Sequence, residues 1–260
     1  MTHKMNDIFN LRRFGKYFLS DLTRLYSDNW LKVLCFGLIP VFATVLSLMF
    51  SLIGNYDYSY ADIWARDTFW SISVVIFVIW LPAACFGYVT DKRAGGNFML
   101  VPASTFEKTA SMIINTAVVI PAAFIAIYMT SDFLCAIASG EEMQESLAVY
   151  ISEGTLFGIE MQDITGQMLL SVHAGMLFFL LGAVFFRKGK ISKSILVFFG
   201  LSVILLFALA FVLKDMAVMS DEEFEMITET DFRTVSTVLA IFQIIVFYIL
   251  IYFRIRKIQY

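Results

Sequence analysis

Charge is what this sequence has least of for its length. Only 16% of its 260 residues are Asp, Glu, Lys or Arg, against 59% hydrophobic residues and a mean hydropathy of +0.77. A soluble domain needs polar side chains to cover its core, so these proportions exclude water as the main solvent. Cysteine is nearly missing too. Cys35, Cys85 and Cys135 lie inside or at the end of apolar runs, which excludes a disulfide framework or a zinc cluster at loop spacing and leaves them as packing residues. There is no H-E-x-x-H, no G-x-S-x-G and no G-x-x-x-x-G-K-[ST] anywhere in the chain. The expectation is a polypeptide without catalytic residues, cofactor or metal of its own.

What fills the chain is long apolar runs. Six can be cut out, approximately Trp30–Ile53, Trp70–Tyr88, Ser111–Ile137, Gln167–Phe186, Ile195–Leu213 and Ser236–Phe253, each with few or no ionisable residues. A bilayer core of roughly 30 Å needs about 20 apolar residues per helix. The runs show no strand-like alternation, and a backbone facing lipid must satisfy its own hydrogen bonds, so helices are expected and an outer-membrane barrel is excluded. The fold class that follows is an all-α, polytopic helix bundle of about six transmembrane helices, with an N-terminal amphipathic interfacial helix. Residues 1–28 form the amphipathic part and 29–260 the transmembrane domain. The first apolar run lacks an A-x-A cleavage site and is expected to be retained rather than cleaved as a signal peptide.

Orientation follows from the basic residues. Lys4, Arg12, Arg13, Lys16, Arg24 and Lys32 precede or open the first run, Lys92, Arg93 and Lys108 follow the second, and Arg187, Lys188, Lys190 and Lys193 follow the fourth. Arg254, Arg256 and Lys257 close the chain, so sixteen of nineteen basic residues share one side. By the positive-inside rule that side and both termini are cytoplasmic, as in a bacterial inner membrane. Seventeen of twenty-two acids segregate oppositely, mainly into outer loops at 138–166 and 214–235. Those loops oppose a nucleic-acid partner by like charge, and they lack the ligand spacing of a calcium loop. They read as a solvated outer surface, or as a surface that captures cations or a basic ligand.

Two segments on the basic side carry structure. Asn6–Tyr26 places Ile8, Leu11, Phe14 or Phe18, Leu22 and Leu25 near helical spacing among Arg12, Arg13, Lys16 and Arg24, the pattern of a helix lying on an anionic lipid surface. It reads either as an anchor for the first span or as a surface for a cytoplasmic partner. Thr90–Ser111 combines Asp91, Lys92 and Arg93 with a Gly95-Gly96 turn, an apolar patch from Phe98 to Val101, the helix breaker Pro102, and a capping box at Ser104 and Glu107 before Lys108. It reads either as a well-capped turn or as a short helix that offers an apolar patch to a soluble motor domain.

This order of elements, with Leu100-Val101-Pro102-Ala103-Ser104-Thr105-Phe106-Glu107-Lys108 after the second span, resembles the membrane subunits of ABC-2 type exporters, closest to six-span permease-like proteins of the Bacteroidetes. The resemblance implies a non-catalytic permease subunit that pairs with a second copy and couples to a separate ATP-binding cassette subunit. It implies docking through Asp91, Lys92, Arg93, Phe98, Pro102, Ser104, Glu107 and Lys108.

Inside the runs, ionisable residues are expensive and therefore functional candidates. His173 is the exception in an otherwise uncharged set, either hydrogen-bonded to a neighbouring helix or relaying protons with a carboxylate such as Asp132. Asn115, Thr116 and Gln243 are candidate interhelical hydrogen-bonding residues, and Pro40, Pro82 and Pro121 candidate kinks. The shortage of intramembrane charge and of an internal repeat weighs against a secondary transporter. The second reading is a membrane-embedded sensor or interaction protein that uses its acidic outer loops.

Overall fold

The computed structural model describes residues 9–54, 63–91, 94–138, 155–156, 159–160, 165–216 and 229–259. Among these the fold is helical, apart from two antiparallel two-residue strands, β1 (Thr155–Leu156) and β2 (Ile159–Glu160). The helices are α1 (Leu11–Gly37), α2 (Ile39–Gly54), α3 (Ile63–Phe86), α4 (Ala94–Leu100), α5 (Thr105–Ile114), α6 (Ile120–Ala138), α7 (Thr165–Phe185), α8 (Lys190–Met216) and α9 (Glu229–Gln259). A 3-10 turn at Gly87–Thr90 prolongs α3, and a π-turn at Asn115–Val119 joins α5 to α6.

Among the described residues four stretches are long and apolar enough to cross a membrane: Thr68–Thr90, Thr105–Ala138, Lys190–Phe207 and Thr234–Ile258. The bent pair α1–α2 would make a fifth. Leu169–Phe185 of α7 is a shorter apolar helix, near the roughly 17-residue lower limit for spanning. This helix holds the centre of the bundle. It packs most extensively against α3 and α9 and then against α8. Leu177, Leu180 and Val184 on α7 are completely buried, together with Leu81 on α3, Met112 on α5 and Ile251 and Ile255 on α9. An aromatic layer lies beside them, in which Phe77 stacks on Phe124 at 4.2 Å and Trp70 meets Tyr128 edge-on at 4.8 Å. On α8 and α9, by contrast, Leu196, Phe199, Phe207 and Phe242 point outward, more than 60% exposed, as suits helices whose solvent is lipid.

The N-terminal part departs from expectation at two points. A boundary was expected near residue 29, between an amphipathic helix and the first span, yet α1 runs unbroken from Leu11 to Gly37. The break falls at Leu38, inside the first apolar run, where the chain bends by 42° into α2. Pro40 is the physical cause: it cannot donate to the helical ladder and its ring crowds the preceding turn. The second departure concerns which face is buried. Tyr17, Asp21, Leu25, Asn29, Val33 and Gly37 recur every fourth residue and form the buried stripe of α1. Leu11, part of the apolar pattern in the sequence, is 74% exposed, and Leu19, outside that pattern, is 63% exposed.

The end of that stripe is a close helix approach. A methyl group on Gly37 would lie 2.4 Å from Ile127 Cγ2 and 2.8 Å from its Cβ, and the Gly37 carbonyl accepts a 2.6 Å hydrogen bond from Ser131 Oγ on α6. Gly37→Ala is therefore expected to lower the apparent unfolding temperature of the detergent-solubilised protein, at a cost of about 1–3 kcal/mol for overpacking. Gly200→Ala on α8, where nothing lies within 4 Å, is expected to be neutral or stabilising. Equal behaviour of the two variants would show that the approach of α1 to α6 is not tight.

Candidate docking surface at the basic end of the bundle

The ends of the helices at Thr90, Thr105, Lys190 and Arg254 converge, and the basic residues gather there. Thr90 Oγ1 donates to the Phe186 carbonyl at 3.1 Å, Arg254 donates to the carbonyls of Val184 and Phe185 at 3.1 Å each, and Lys190 reaches Asp91 at 2.6 Å and also the Gly87 carbonyl. The bonds from Arg254 and Thr90 satisfy carbonyls at the end of α7, groups that helix geometry leaves without intrahelical partners.

The segment from α4 to α5 is built on Glu107. The capping box forms as the sequence implies: Ser104 Oγ accepts from the Glu107 N–H at 3.2 Å, and the carboxylate accepts from the Ser104 N–H at 2.9 Å. The same carboxylate, fully buried, also accepts from the Asn10 N–H at 2.8 Å and from the Arg13 guanidinium through Nε at 2.8 Å and Nη2 at 2.9 Å. Asn10 in turn caps α1, its Oδ1 accepting from the N–H groups of Arg12 and Arg13. One carboxylate thus joins the N-termini of two helices distant in sequence, with each oxygen engaged, the arrangement in which burying a charge is tolerable.

One turn further in, Asp21 is held the same way. Arg24 Nη2 donates to Oδ1 at 2.7 Å, and Ser111 Oγ donates to Oδ2 at 2.8 Å with Asn115 Nδ2 at 3.4 Å. The Arg24 guanidinium lies over the Tyr88 ring at 4.1 Å. Ser111, Asn115 and Thr116 are fully buried, and Asn115 and Thr116 open the π-turn, a helix irregularity that recurs at functional sites.

Lys108 is almost completely buried. Its Nζ donates to the Phe98 carbonyl at 2.7 Å and sits 4.9 Å from the Phe98 ring centroid. Phe98 is itself buried against Tyr88. The short helix α4 is therefore fixed from one side by Lys108 and, through Asp91, from the other by Lys190. Gly95 allows this: a Cβ there would lie 2.5 Å from the Val89 carbonyl oxygen.

Of the residues expected to meet a partner, Glu107, Lys108 and Phe98 are buried, Ser104 is spent on the cap, and Asp91 is paired with Lys190. Glu107, Lys108 and Phe98 are thereby out of a partner's reach and hold the segment in shape, whereas Asp91, although paired, stays about half exposed. Lys92 and Arg93 lie outside the described residues. Pro102 is exposed, beside Leu100 at 82%, Met99 at 48% and Phe106 at 48%. Those four form the outward surface of the segment. His173 joins α7 to α9, its Nε2 lying 2.6 Å from Tyr248 Oη, so the neighbouring-helix hydrogen bond expected for it exists. Asp132 is buried at the far end of α6, and the acidic segments that contain Glu141, Glu142, Glu145, Glu153, Asp163, Asp221, Glu222, Glu223 and Glu225 lie outside the described residues. Among the described residues no group of His, Cys, Asp or Glu could hold a metal ion.

Sequence reasoning missed Asp21 and the pairing of Arg13 with Glu107. Its one available signal was the recurrence of Asp21 with Tyr17 and Leu25 at four-residue spacing, a polar residue in a buried stripe. No protein-family model, no curated protein and no solved structure matches this chain.

Because Glu107 is fully buried and Arg13 about one-third exposed, their removals are not equivalent. Glu107→Gln leaves backbone donors of Asn10 and Ser104 competing for one oxygen and is expected to cost about 2 kcal/mol or more, whereas Arg13→Gln is expected to cost about 1 kcal/mol. Thermal unfolding of both single variants and of the double variant in one detergent would measure this. Additive effects, or a Glu107→Gln protein as stable as the parent, would remove Glu107 from its central position.

Proposed function

We propose that this chain is the non-catalytic membrane subunit of an exporter of the ABC-2 kind, with six spans once α7 and the bent pair α1–α2 are each counted as one. In this reading the basic end and both termini face the cytoplasm of a bacterial inner membrane, a second copy of the chain completes the pathway, and a separate ATP-binding cassette subunit supplies the energy. The observation that carries it is the contrast within Asp91–Lys108: Phe98, Glu107 and Lys108 are drawn inward to brace the segment, while Met99, Leu100, Pro102 and Phe106 are left outside. A rigid support under an exposed apolar patch suits force transfer from a soluble partner, because the patch gives it a dry contact and the buried ion pairs carry displacement into α1, α5 and α6. Pro82 in α3 and Pro121 at the start of α6 lie where such motion could be absorbed.

The test is purification of the full-length tagged chain from its native host in mild detergent. An ATP-binding subunit in stoichiometric amount with vanadate-sensitive hydrolysis is expected to co-purify. Leu100→Asp and Met99→Asp, both at exposed positions, are expected to release that subunit without lowering the unfolding temperature. Recovery of the chain without an ATPase, or retention of the ATPase by both variants, would overturn the reading.

A further inference from the structure

Between α1 and the segment that follows α4 lies a cleft of about 800 Å³. One wall is aromatic and aliphatic, with Tyr88, Phe98 and Pro102; the other is a face of α1 on which Arg12, Lys16, Ser20 and Arg24 recur every four residues. Four cations line it, Arg13 included, against the single carboxylate of Asp21. Two of those cations are committed elsewhere, Arg13 to Glu107 and Arg24 to Asp21. Even so, the Arg24 Nε–H is buried and has no acceptor among the described residues. Arg12 and Lys16 are exposed and make no side-chain hydrogen bond or ion pair among the described residues. The cleft therefore carries uncompensated positive charge beside a low-dielectric wall, a combination that concentrates field and attracts anions.

We propose that this cleft binds a phosphate ester, and that its source is the headgroup of an anionic phospholipid. Guanidinium forks match phosphate oxygens, and a lysine adds a point charge. The lipid source follows from position. The cleft lies at the level of the span ends at Thr90 and Thr105, on the part of α1 just before its apolar stretch begins at Trp30, which is where headgroups stand relative to a bundle of this kind. The site goes beyond the exporter reading and does not depend on it, since no ATPase takes part.

The experiment uses the full chain in detergent, titrated with an equimolar mixture of phosphatidylglycerol and phosphatidylcholine and read by native mass spectrometry. Preferential retention of phosphatidylglycerol is expected, falling roughly five-fold for each cation removed in Arg12→Gln and Lys16→Gln. A charge-matched pair outside the cleft, Lys188→Gln with Arg256→Gln, is expected to change nothing, and the unfolding temperature of the cleft variants should equal that of the parent because neither side chain has a partner to lose. Equal retention of the two lipids, or equal losses in the cleft and control pairs, overturns the site. Displacement of the lipid by inorganic phosphate at matched concentration supports the phosphate chemistry and overturns the lipid source.

Discussion

The basic end of this molecule depends on the Glu107 carboxylate. It is fully buried, and it receives the N–H groups of Ser104 and Asn10 together with two nitrogens of Arg13. An isolated carboxylate in such a place would be costly, and a paired one with its oxygens satisfied is not. The same group that makes α5 start makes α1 start beside it, so a local cap and a tertiary contact are one interaction. Asp21, Ser111 and Asn115 repeat the device a turn further in, and between them these two clusters register α1 against α5 and the π-turn.

Once α1 and α5 are joined, the intervening segment has little freedom. Lys108 holds the Phe98 carbonyl, Lys190 holds Asp91, and α4 packs so close to the 3-10 turn that Gly95 has no room for a side chain. The apolar residues Met99 and Leu100 are then left exposed, as is Phe106 apart from an edge-on contact with the Phe9 ring. The cleft beside them follows from the same constraint, because fixing α1 by Arg13 and Asp21 leaves Arg12 and Lys16 on the open side of the helix.

How much of this was legible in advance differs by element. The apolar run at Trp70–Tyr88 agrees with its spanning stretch to within two residues at each end, because a hydrocarbon thickness imposes a length that composition reveals. Ser111–Ile137 ends one residue short of its stretch but begins six residues late, because the polar first turn of α5 hides its start. Ser104 and Glu107 were recognisable as a capping box since its partners lie three residues apart. The bend at Leu38 was legible in Pro40, a candidate kink, whereas the unbroken run of α1 across residue 29 was not. Glu107 was expected in the capping box, and Glu107 and Lys108 at a surface that meets a partner; their burial was not legible because it depends on partners 94 and 10 residues away.

The sequence by itself determined that the chain is an apolar helical bundle with its positive charge gathered at one end, because hydrophobic length and charge sign are additive properties of residues. The tertiary structure alone decided which charges are spent within the fold and which remain available to something else. Arg13 and Arg12 are neighbours of the same kind and line the same cleft, yet one reaches a buried carboxylate and the other has no partner among the described residues. That difference arises from the direction each side chain leaves α1 relative to α5, a matter of helix packing that no local pattern encodes.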